Sequence, residues 1–115
     1  MKTTWLVLGV GLFFAPAGWA QDATAVASKQ FKVLAEDDQV RVLEYKDKKG
    51  DKVPMHSHPK HIVYVLQTSK VKFSFPDGST KESEAKAGQA LIRPAVTHAQ
   101  ESMQDGHAIL IELKK

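Results

Sequence analysis

A chain of 115 residues has room for one hydrophobic core, and its 43% hydrophobic and 25% charged residues are ordinary for a globular protein rather than a disordered one. It contains no cysteine, which excludes disulfides, thiol nucleophiles and thiolate metal sites; any metal must be held by imidazole or oxygen. The net charge of +3 is small, and lysine-bearing stretches such as Lys46-Asp47-Lys48-Lys49 carry acids between the lysines and no interleaved aromatics, which argues against a nucleic-acid partner.

The first twenty residues read as a secretory signal peptide. Lys2 supplies a positive start, Trp5 to Phe14 an apolar run, and Ala15-Pro16-Ala17-Gly18-Trp19-Ala20 a helix-breaking end in small residues. The expected cut lies between Ala20 and Gln21, giving an exported protein, periplasmic or secreted. The apolar run is short for a bilayer span and is interrupted by Gly9 and Gly11, so no stable membrane anchor is expected. Of the 16 basic residues only Lys2 is lost with the signal, leaving 15 against 13 acidic ones.

Residues 21–30 read as a flexible N-terminal segment and residues 31–115 as the folded domain. Val40 to Tyr45 forms a strand after the Asp37-Asp38 turn. Ile62-Val63-Tyr64-Val65-Leu66 is a continuous apolar run of strand length, which predicts burial on both faces. Val71-Lys72-Phe73-Ser74-Phe75 alternates, with Val71, Phe73 and Phe75 expected inside. Pro76-Asp77-Gly78-Ser79 is a turn, Lys81 to Ala85 a short strand, and Gln89 to Arg93 another that stops at Pro94. Asp105-Gly106 turns the chain into a last strand, His107 to Leu113. No stretch after residue 20 has a sustained helical period. Seven or eight short strands with regular turn signals predict an all-β sandwich, jelly roll or small barrel.

The histidines carry the chemistry. His56 and His58 are two apart, so on an extended strand both imidazoles face the same way. Two imidazoles on an inward face lose hydration and, if charged, repel; a shared cation removes both costs by binding the neutral rings. A pair of exposed loop histidines is the alternative. Pro54 and Pro59 flank the pair and restrict it. His61 reaches the same side only if Pro59-Lys60 breaks the strand, and His98 has to come from a neighbouring strand. His107 shares a face with Ile109, Ile111 and Leu113 and reads as a partly buried structural histidine. Gln100 shares a face with His98, and Arg93 and Tyr64 read equally as packing residues.

Gly50, five residues, then His56-Ser57-His58 resembles the first motif of the cupins, and Gly88, Pro94 and His98 resemble the second. The resemblance covers Val40 to Leu113 and implies a double-stranded β-helix, the jelly-roll or cupin barrel, with a divalent metal on His56, His58 and His98. The family's motif glutamate is missing, and His61 stands in its place; Ser102 stands where the family has asparagine. A fourth imidazole would make the site all-nitrogen, favouring Fe, Ni, Cu or Zn over Mn or Mg. Three functions follow from the resemblance: an oxygenase-like or isomerase-like enzyme acting on a small molecule, a non-catalytic metal- or small-molecule-binding module, or a structural domain. The resemblance also implies a homodimer.

Overall fold

Glycine-bearing turns join the short strands into two five-stranded sheets packed face to face. The computed structural model describes residues 21–114; the expected signal peptide lies outside them. The elements are β1 (Gln21–Asp22), α1 (Ala23–Val26), β2 (Phe31–Glu36), β3 (Val40–Asp47), β4 (Lys52–His58), β5 (His61–Gln67), β6 (Ser69–Ser74), β7 (Thr80–Ala85), β8 (Ala90–Arg93), β9 (Val96–Gln104) and β10 (Gly106–Leu113). One sheet runs β1-β4-β9-β6-β7 and the other β2-β3-β10-β5-β8. All pairings are antiparallel except β1 with β4. This is the expected all-β jelly-roll barrel. Among the described residues no helix is long and apolar enough to cross a membrane.

Gly50 and Gly88, the glycines of the two motifs, both have φ near +90° (92° and 89°), a backbone region open chiefly to glycine. Each turns the chain just ahead of a strand that serves the site: Gly50 donates its N–H to Ser102 O at 2.8 Å before β4, and Gly88 to Val65 O at 2.7 Å before β8.

The core is Leu43, Val53, Phe31, Tyr45, Ala108 and Leu110, with Val65 also fully enclosed. Two expectations fail here. The segment 21–30 is not a flexible lead-in: β1 pairs with β4, and α1 buries Ala23 and Ala27, four apart on one face of its single turn, in the core. The small side chains of Ala23 and Ala27 permit this close approach to β4. The second failure is Ile62 to Leu66. Val65 is buried, but Tyr64 and Leu66 are 44% and 43% exposed, because nothing among the described residues covers the outer face of β5.

Candidate metal centre

Cross-strand register assembles the site. On one sheet His56 of β4 pairs with His98 of β9, and His58 pairs with Val96, so the three imidazoles share the inner face. On the facing sheet, Arg41 of β3 pairs with Glu112 of β10, Glu112 with His61 of β5, and His61 with Arg93 of β8. A row of four polar side chains thus crosses one sheet opposite the three histidines of the other.

His56, His58 and His98 are all buried, and each offers a ring nitrogen such that the three nitrogens lie within 4.8 Å of one another. The His56 ring stands 4.8 Å from both His58 and His98, near-perpendicular to each, at 86° and 73°. This arrangement can hold a metal ion. His61 is also buried and lies beside His58, ring centroids 4.9 Å apart, but outside the group of three.

Hydrogen bonds fix which nitrogen faces inward. His56 Nδ1 is 2.8 Å from Pro54 O, and a carbonyl only accepts, so Nδ1 carries the proton and Nε2 keeps its lone pair. The same logic applies to His61, whose Nδ1 donates to Pro59 O at 2.8 Å. His58 Nδ1 donates to Glu112 Oε2 at 2.6 Å. The two prolines therefore do more than restrict the chain: each presents its carbonyl to the histidine two residues on. Nε2 of His56 and of His98 are buried with no hydrogen-bond partner. A buried, unpartnered ring nitrogen is costly, and a cation bound within this group of three histidines could satisfy both.

Electrostatics agree. Burial pushes His56 down to about 4. Burial, together with the neighbouring imidazoles, pushes His98 down to about 3. Burial lowers His61 as well. Neutral imidazole is the form that binds metal. Phe73 stacks on His98 (4.6 Å, 20°), and Phe31 lies 5.6 Å from His56 and 5.7 Å from His58, so the rings are held by packing as well as by hydrogen bonds.

Sequence reasoning missed the groups behind the ligands. Glu112 is buried; although burial pushes its carboxyl up, the hydrogen bonds from His58 and Arg41 outweigh this and hold it low. Arg41 donates from Nε and Nη2 to Glu112 Oε1 at 3.0 and 2.7 Å, and from Nη1 to Asp22 Oδ2 at 2.8 Å. A carboxylate behind a metal-ligating histidine is the usual means of fixing its tautomer and raising its basicity. The one signal available was a lone acid, Glu112, after the apolar run Ala108 to Ile111 of the last strand. His107, by contrast, points away from the site and bonds to Glu44 at 2.8 Å.

Beside the histidines lies a cavity of about 250 Å³, lined by Val63, Val65, Phe73, Phe75, Leu91 and Leu110 among others. Gln100 lines it as expected and donates to Tyr45 OH at 2.8 Å. Tyr45 OH and Ser102 Oγ both hydrogen-bond Asp47, which is buried at the far side.

No family model matches the sequence, and no curated protein does. Solved structures do match in fold. A cupin domain from Bordetella pertussis Tohama I is 24% identical, with a TM-score of 0.66 over 74% of this chain and 92% of its own. A cupin superfamily protein from Desulfitobacterium hafniense DCB-2 is 18% identical, with a TM-score of 0.57 over 74% and 76% of the two chains. KdgF from a Halomonas species is also 18% identical, with a TM-score of 0.53 over 74% and 79%. The two-sheet barrel, the register that gathers the histidines and these likenesses agree: the chain has the fold of the small single-domain cupins.

Proposed function

We propose that this chain is an exported metal-dependent cupin that acts on a small molecule, with a divalent transition ion on Nε2 of His56, His58 and His98. The observation that carries the reading is the pair of buried, unpartnered Nε2 atoms on His56 and His98, beside a His58 whose tautomer Glu112 fixes. His61, its Nε2 likewise left without a proton, completes the set as a fourth ligand. An all-imidazole set suits Fe, Ni, Cu or Zn. When bound, such an ion supplies Lewis acidity to an oxygen of the molecule beside it. The chain itself orients the rings through Pro54, Pro59 and Glu112 and excludes water with Val63, Phe73 and Leu91. Pairing of two copies belongs to the same reading.

The test is metal content. The purified wild-type protein should carry about one ion per chain, and a His56→Ala/His58→Ala variant none. Absence of stoichiometric metal from wild-type protein purified without chelator refutes the reading. His61→Ala should weaken binding without abolishing it; unchanged affinity removes His61 from the ligand set. Capture without turnover is the second reading, favoured because no carboxylate general base lines the cavity among the described residues. Turnover assays on the metal-loaded protein separate the two.

A further inference from the structure

Among the described residues, the cavity beside the histidines is lined by two full cations and no acid. Arg93 closes β8 as the cross-strand partner of His61, half-buried and facing the cavity. Lys81 of β7 is the partner of Phe73, the ring stacked on His98, and stands exposed at the cavity's rim. Strand alternation sorts the charges on β7: Lys81, Ser83 and Ala85 line the cavity, while Glu82 and Glu84 between them are exposed and absent from the lining. The acids are thus kept out and the cation is let in.

Arg93 differs from the chain's other arginine. Arg41 is neutralised by Asp22 and Glu112. Among the described residues neither Arg93 nor Lys81 forms an ion pair with any carboxylate. A half-buried guanidinium against Val63 and Leu91 has lost hydration that only an oxyanion restores in full, because its fork of donors matches a planar carboxylate. At about 250 Å³ the cavity is smaller than the roughly 300–1,000 Å³ common for ligand pockets, so the guest is small.

We propose that the cavity takes a small organic carboxylate, its oxyanion on Arg93 with Lys81 at the rim and its apolar body against Val63, Leu91 and Phe73. This deepens the metal-dependent reading and rests on it for the ion beside the guest; the contact with Arg93 stands on the chain's own residues.

The experiment uses the full chain loaded with Zn²⁺ and two probes of one shape, benzoate and neutral benzamide, titrated by calorimetry with metal content measured in parallel. A charge-assisted, bidentate contact should favour benzoate by about tenfold or more. Arg93→Gln should cut that preference several-fold while the protein keeps its Zn²⁺, and Lys81→Gln should cut it less and chiefly at low salt. Arg93→Lys, which keeps the charge without the fork, should fall between. Equal affinity for the two probes, no binding of either, or an unchanged benzoate affinity in a folded, Zn²⁺-loaded Arg93→Gln protein overturns the proposal. Failure of the wild type to hold Zn²⁺ strikes the metal reading alone, since the benzoate preference is then read on the metal-free chain.

Discussion

Glu112→Gln isolates the group that stands behind the proposed metal ligands. Glu112 is 2% exposed, and its oxygens divide their work: Oε2 accepts the His58 Nδ1 proton, and Oε1 accepts two donors of Arg41. Glutamine keeps the shape but has one acceptor. With its oxygen toward His58, its NH2 group meets the Arg41 donors. With its oxygen toward Arg41, its NH2 group meets His58 Nδ1, and the imidazole proton must move to Nε2, removing the lone pair that faces the site. The second arrangement keeps the charged partner satisfied and is the one expected. Loss of such a supporting carboxylate costs about 10–100-fold in metal affinity, or about 1.4–2.8 kcal/mol. Arg41 retains Asp22, so the metal-free protein should lose only about 1–3 kcal/mol of stability. Competition for Zn²⁺ against a coloured chelator measures the first quantity, denaturant unfolding the second, and nitrogen NMR of the imidazoles reports the tautomer directly. If Glu112 acts through His58, its effect on affinity should vanish in a His58→Ala background. Wild-type affinity in the single variant, or a full additional loss in the double variant, refutes the reasoning.

Two further outcomes follow from the buried groups. Burial holds His56 at about 4, well below its ordinary 6.5, so between those values the unfolded metal-free chain binds more protons than the folded one. Stability is therefore full above about pH 6.5 and is lost as pH falls through the folded value, by about 3 kcal/mol from His56 alone; urea unfolding at pH 7.5 and 4.5 that gave equal stabilities would contradict this. Gly106→Ala places a Cβ 2.8 Å from Asp47 Oδ1 and 3.3 Å from Ser69 Cβ, so the variant should be less stable by about 1–3 kcal/mol, checked by thermal unfolding.

The histidine pair was legible because its information is local: a spacing of two on an extended strand, with prolines on either side, puts both rings on one face whatever the rest of the chain does. His98 was legible from the second motif, whose Gly88 occupies a positive-φ turn that few other residues could replace. Glu112 was not. In the last strand both parities are apolar, with Ala108 and Leu110 on one side and Ile109, Ile111 and Leu113 on the other. Side-chain bulk favours the second set for the interior. The structure buries the first, because the register sets Ala108 beside Tyr45 and Val65, and Leu110 beside Leu43 and Val63, on the inner face. Parity in a central strand is decided by its neighbours, and one sequence does not display them. Arg93 failed for a related reason: whether a strand-end arginine packs, pairs or faces a cavity depends on what lies across the sheet. Asp22 was hidden by a composition that resembled a flexible tail.

The balance of charge ties these missed residues together. An all-imidazole set brings no negative charge to a divalent ion, so the usual neutralisation by a ligand carboxylate is absent from the inner set. The carboxylate is present one step out: Glu112 would act on a bound ion through His58. Part of its charge is already claimed by Arg41, which Asp22 claims in turn. Asp22, Arg41 and Glu112 together carry a single negative charge, enough to offset half of a divalent ion and none of Arg93 or Lys81. With a divalent ion on the proposed ligands, the site would be left with net positive charge in a low-dielectric cavity, where uncompensated charge is most expensive. A bound carboxylate lowers that cost without altering the fold, and it does so more strongly when the ion is in place than when it is not. Metal and anion should accordingly favour each other's binding, each raising the other's affinity by the same factor.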